Sequence, residues 1–100
     1  MTRGGYTYIL TNKNHTVVYT GVTADIKVRV TEHKQKFHPT SFTAKYNVIK
    51  LVWYKSFETI VEAIEEEKRI KGGSSQKKED LINSINPEWK ELFDELPDEL

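Results

Sequence analysis

Glu67 stands three residues after Ile64 and seven after Ile60, in a run where Phe57, Ile60, Val61, Ala63, Ile64 and Ile70 recur at helical spacing. At about 100° per residue, that spacing sets Glu67 within the apolar stripe and turns Glu62, Glu65 and Glu66 away from it. A carboxylate on an inward face needs a cation, a hydrogen-bond donor or a route to water. An ion pair with a nearby Lys or Arg would satisfy it, and so would a divalent cation. Arg29 and His33 raise a similar question. They lie at i and i+4 on the face that carries Ile26 and Val30. The pair is either a surface arginine beside a histidine or a phosphate clamp beside a proton-handling imidazole. Tyr8 and Tyr19 complete the set. Side chains alternate along a strand, so Tyr6, Tyr8 and Leu10 share one face, and Val17, Tyr19 and Gly21 share another. Tyrosine is also a common half-buried strand residue, so packing alone accounts for either one.

These groups must be positioned by the elements around them. Thr7-Tyr8-Ile9-Leu10 and Thr16-Val17-Val18-Tyr19-Thr20 read as two strands of β-formers around the turn-like Asn12-Lys13-Asn14, an antiparallel hairpin. The segment 24–36 reads as a helix, with Thr23 as its N-cap and Asp25 in its first turn. Pro39 ends it, and residues 38–47 read as a loop that can hold a helical turn. Val48–Tyr54 is a continuously apolar strand, a pattern that suggests the centre of a small sheet. A helix over 58–71 stops at Gly72-Gly73, and "SSQKKEDLINSI" forms another. Asn86-Pro87 predicts a last helix that docks through Trp89, Leu92, Phe93 and Leu96. The sum is an α+β fold, a three-stranded antiparallel sheet flanked by helices, in a single domain over 1–100.

Composition narrows the classes. With no cysteine there is neither a disulfide framework nor a thiolate metal site. The absence of an apolar leader and of any long apolar run predicts a cytoplasmic protein with no membrane partner. The net charge of zero hides a split. Residues 1–57 hold nine Lys/Arg against two Asp/Glu, a net of +7, and residues 58–100 hold six against thirteen, a net of −7. A basic half of this kind suits a polyanion partner, or an ordinary solvated surface.

Taken in order along the chain, these segments resemble the GIY-YIG nuclease superfamily. Tyr6-Thr7-Tyr8-Ile9-Leu10 and Val18-Tyr19-Thr20-Gly21 are similar to its two signature segments, and "GVTADIKVRVTEHK" to the stretch that follows the second. "EAIEEEKRIKGG" and "KKEDLINSINPEWKEL" resemble its small, single-domain bacterial branch. The chain departs from the pattern at Tyr6-Thr7, at Thr20, where the family usually has an aliphatic residue, and at "GGSSQKK".

The resemblance implies a DNA endonuclease that hydrolyses phosphodiester bonds with Mg²⁺ or Mn²⁺. It assigns Tyr8 as general base, directly or through Tyr19, Arg29 as phosphate clamp, His33 as the residue one turn on, and Glu67 as the metal-binding carboxylate. Asn83 or Asn86 would support the site. Gly21, Lys27, Lys34 and Lys36 would contact nucleic acid, with Lys13 and Lys45 adding basic charge. A free tyrosine titrates near 10, so this base requires Arg29 and a cation to stabilise its anion. Two other readings compete: a nucleic-acid-binding module that keeps the fold without turnover, and a protein-interaction domain using the acidic end "ELFDELPDEL".

Overall fold

The computed structural model describes residues 4–96. Seven elements of helix and strand run in the order β1 (Gly5–Thr11), β2 (Val18–Thr23), α1 (Ile26–Lys34), α2 (Phe42–Lys45), β3 (Lys50–Phe57), α3 (Ile60–Lys71) and α4 (Ser75–Ile85), followed by a 3₁₀ turn over Phe93–Glu95. The hairpin forms as its sequence predicts. Asn12 ties the turn, its Oδ1 accepting from the Thr16 and Val17 amides at 2.8 and 3.2 Å.

All three strands pair antiparallel in the order β2-β1-β3. The expectation that the apolar third strand sits at the centre is therefore corrected: β1 is central and β3 is an edge. Its apolar run arises because β3 is covered on both faces and not because it is paired on both sides. One face carries Tyr8, Leu10 and Leu51 under Ile26 and Val30 of α1; the other carries Ile9, Val52 and Trp53 under Ile70 of α3 and Ile82 of α4. A bulge helps this division. Ile9 pairs with Trp53 and Leu10 with Leu51, so Val52 is the extra residue.

Asp25, and not Thr23, caps α1. Its side chain accepts from the Val28 amide at 3.2 Å, while Thr23 Oγ1 accepts from the Asp25 amide at 3.1 Å and shapes the turn before the cap. Helix α3 starts with a capping box between Thr59 and Glu62. Its stripe is narrower than its spacing suggests, because Ala63 and Ile70 are buried while Val61 is 60% exposed. Glu66 is not free in solvent, either: it holds Arg69 at 2.6 Å.

The last helix does not form. Asn86 caps nothing of the kind, since its buried amide donates to the carbonyls of Val52 (3.0 Å) and Lys90 (2.9 Å) and accepts from the Lys90 amide (3.0 Å). Trp89 takes φ 54°, which a helix excludes. The stripe residues do dock, but on two surfaces. Trp89 packs on the α3/α4 side, and Leu92, Phe93 and Leu96 on the α1 side. The segment wraps the edge of β3, and the Leu92 amide donates to the Leu51 carbonyl at 2.8 Å.

Thr20 pairs with Ile9 and shares its face. Among the described residues, its Oγ1 is buried without a hydrogen-bond partner. A buried unpaired hydroxyl costs about 1–3 kcal/mol. Thr20→Val is therefore expected to raise stability by about 1 kcal/mol in urea denaturation. An unchanged or lower midpoint would show that the hydroxyl is satisfied in solution.

Candidate active site

Strands β1 and β2 and helix α1 bring three of the singled-out side chains into contact. Tyr8 faces Gly21 across the hairpin. A Cβ on Gly21 would lie 2.4 Å from both Cζ and the hydroxyl of Tyr8, so the phenol occupies the space that any other residue would fill. The hydroxyl of Tyr8 reaches His33 Nε2 at 3.0 Å, and His33 Nδ1 reaches Thr43 Oγ1 at 3.0 Å. Helix α1 turns His33 inward with Ile26 and Val30, one to two turns earlier on the same face. The Tyr19 ring meets the imidazole edge-on, with centroids 5.7 Å apart.

Burial governs the protonation of this group. It lowers the His33 pKa to about 4, with the Arg29 cation adding to the effect. The imidazole is thus neutral at pH 7 and has one N–H and one lone pair to place. Burial, with the neighbouring Tyr19, also raises the Tyr8 pKa to about 12, although Arg29 opposes it. Among the residues of this chain the loss of hydration outweighs the guanidinium, so Arg29 without a cation leaves Tyr8 protonated. With Tyr8 protonated, the simplest proton arrangement has Tyr8 donating to Nε2 and Nδ1–H donating to Thr43.

The His33 shift carries a stability consequence. Its usual value of 6.5 applies to the unfolded chain, which therefore takes up a proton between 6.5 and about 4 that the fold rejects. Stability is fully present above about pH 6.5 and falls towards pH 4, by on the order of 2–3 kcal/mol. Urea denaturation at about pH 7 and pH 4.5 should show a smaller acid loss in His33→Gln than in the parent chain. Equal losses would exclude His33 as the source.

A cavity of about 290 Å³ opens beside these residues, walled by Tyr19, Arg29, His33, Lys36, His38 and Phe42 among others. Tyr8 lies behind this wall, 1% exposed. Arg29 is anchored by Glu32 at 3.0 Å and keeps a third of its side-chain surface. Glu67, on α3, is not among the residues that wall this cavity. Its carboxylate pairs with Lys71 at 2.9 Å, the Lys71 ammonium lies 5.9 Å from the Tyr19 ring centroid, and the carboxylate's charge is felt at Tyr8. The other assigned residues divide. Lys36 borders the cavity and bonds Asn47. Lys27 and Lys34 lie over the Phe93 ring, and Lys34 also holds Glu91 and the Ile49 carbonyl. Gly21 is buried beneath Tyr8. Asn83 accepts from Trp89 Nε1 at 2.7 Å, while Asn86 fastens the chain to β3, and neither borders the cavity.

Residues 4–80 match the family model of the GIY-YIG catalytic domain. The chain belongs to the GIY-YIG family. A solved structure agrees with the assignment: the UPF0213 protein BH0048 from Bacillus halodurans, determined by NMR in solution, is 28% identical, with a TM-score of 0.56 over 88% of this chain and 92% of that one. No curated protein matches the chain. This GIY-YIG domain is a nuclease domain by family. It has no helix, among the described residues, long and apolar enough to cross a membrane.

GIY-YIG nucleases typically use a divalent metal, so the donor set of this GIY-YIG domain matters. Among the described residues, no cluster of three or more His, Asp or Glu side chains is placed to enclose an ion. Glu67 offers a carboxylate on α3 that is 15% exposed and paired with Lys71. A lone hard oxygen donor fits a hydrated Mg²⁺ or Mn²⁺ that fills its shell with water and phosphate oxygens.

Three residues that shape the site were not singled out in the sequence. Glu32 and Lys71, the partners of Arg29 and Glu67, were readable from their i+3 and i+4 spacing. Thr43, which orients His33, left no signal, because it comes from α2, ten residues away.

Proposed function

We propose that this domain is a metal-dependent DNA endonuclease. The observation that carries the reading is the grouping of Tyr19, Arg29 and His33 at one cavity wall, with Tyr8 bonded to His33 behind it. Arg29 is the phosphate clamp. It is anchored on Glu32, is partly exposed to the cavity, and can give two parallel hydrogen bonds to phosphate oxygens. Lys36 adds a second cation at the rim.

The proton path runs through Tyr8 and His33. As water attacks phosphorus, its proton passes to the Tyr8 oxygen while the Tyr8 proton passes to His33 Nε2. The neutral imidazole can receive it, and Thr43 holds the tautomer that leaves Nε2 free to do so. The phosphorus–oxygen bond to the sugar breaks, and Arg29 faces the negative charge that develops on the phosphoryl oxygens. Bound at Glu67, Mg²⁺ or Mn²⁺ would supply positive charge for the leaving oxygen. Lys71 would then have to release the carboxylate, or share it.

The test uses supercoiled plasmid, flap and hairpin DNA, with Mg²⁺ or with chelator. Cleavage is expected with Mg²⁺ alone, and Glu67→Ala and Arg29→Ala should each lower it by about 10²–10³-fold. Cleavage that survives chelator or both substitutions would refute the reading. The burial of Tyr8 favours one alternative, a nucleic-acid-binding module without turnover. DNA bound but uncut under every metal condition would select that one. The protein-interaction reading rests on residues 91–100, of which 97–100 lie outside the described residues.

A further inference from the structure

The connection between α1 and β3 leaves three aromatic rings in solvent: Phe37 is 64% exposed, Phe42 48% and Tyr46 52%. Single exposed apolar residues are ordinary. Three within ten consecutive residues, with Lys36 before them and Lys45 among them, form a cluster of a particular kind. The rings are also arranged. Phe42 opens α2 and Tyr46 caps its C-terminus, with ring centroids 4.9 Å apart, and Phe37 meets His38 edge-on at 5.1 Å.

The segment is held firmly. The Phe37 amide donates to Glu32 at 2.9 Å, the Val48 amide to Thr43 at 2.8 Å, and Lys36 bonds Asn47 across its base. Lys36 and Asn47 both adopt left-handed backbone, at φ 52° and 56°, which sets the bends at the two ends. It also adjoins the site. Phe42 and His38 wall the same cavity as Arg29 and Tyr19, and Thr43, the residue after Phe42, orients His33. Aromatic faces interleaved with lysines, next to an arginine that can take a phosphate, are what unpaired nucleotides require. Bases stack on the rings while the backbone follows the cations. A base pair within a duplex does not expose its face and cannot use them.

We propose that residues 36–46 form a stacking platform for unpaired nucleotides, so that this domain engages its substrate next to a single-stranded segment. The proposal rests on Arg29 being the phosphate site. The net charge of +7 over residues 1–57 matches a polyanionic occupant better than an apolar protein surface.

The experiment measures anisotropy of labelled short oligo-dT, oligo-U and a duplex of equal length, in chelator so that nothing is cut. The proteins are the parent chain, Phe42→Leu and Phe37→Leu. Leucine keeps apolar bulk and removes the π-face. Expected is tighter binding of single strands than of duplex, with Phe42→Leu weakening a single strand about tenfold or more and leaving the duplex unchanged. A loss on either oligonucleotide supports the platform. Leucine variants that bind both single strands as well as the parent would overturn it, as a protein-docking face would produce. So would an equal loss on the duplex. The cleavage assay separates the two claims. A chain that holds oligo-dT through Phe42 and cuts nothing keeps the platform and loses the nuclease. A chain that cuts duplex and flap DNA alike, with Phe42→Leu unchanged, does the reverse.

Discussion

Tyr8→Phe is expected to cut DNA cleavage by about 10²–10⁴-fold while leaving the domain folded. Only the hydroxyl is removed, and the ring stays packed between Leu10, Ile26 and Val30. The cost to stability should be about 1 kcal/mol, because His33 Nε2 loses its partner in a buried place. The rate profile tells whether Tyr8 relays a proton or takes one as phenolate. His33, lowered to about 4, is already neutral at pH 6, and Tyr8, raised to about 12, is still protonated at pH 9. A relay therefore predicts kcat/KM nearly flat between about pH 6 and pH 9. A phenolate base predicts a tenfold rise per pH unit across the same window, since the reactive fraction grows with pH. That slope, or full activity in Tyr8→Phe, would remove the relay.

Gly21→Ala should cost about 3 kcal/mol of stability. The reason is steric. Gly21 has no positive φ, so alanine meets no backbone strain there. The new Cβ would instead lie 2.4 Å from the Tyr8 ring and hydroxyl. Tyr8 cannot swing aside cheaply, because it is 1% exposed and bonded to His33. Cleavage should fall to the level of Tyr8→Phe, because the displaced hydroxyl leaves the imidazole. Urea denaturation of a double-mutant cycle checks the cause: Gly21→Ala should cost far less when Tyr8 is already alanine. If the two losses simply add, the contact with Tyr8 is not what glycine protects.

The Glu32 and Lys71 pairings show how local spacing reveals a partner within one helix. The fate of the C-terminal segment shows the limit of that reading. Trp89, Leu92, Phe93 and Leu96 have helical spacing, and all four are at least partly buried as such a stripe demands. A buried asparagine and a left-handed Trp89 send them instead around the edge of β3 to opposite faces. Periodicity reports that side chains are buried, and it does not say against what.

The sequence by itself determined the antiparallel hairpin, the order of strands and helices through α4, and which residues were candidates for phosphate chemistry. These follow from β-propensity, turn residues, helical spacing and local caps, all of which act within a few residues. Only the tertiary structure decided that β1 is the central strand, that Tyr8 needs Gly21 opposite it, and that His33 is neutral with Thr43 behind it. It also decided the charge state of Tyr8. Proton affinity depends on how much water a group loses and which charges surround it, and those come from strands and helices far apart in the chain.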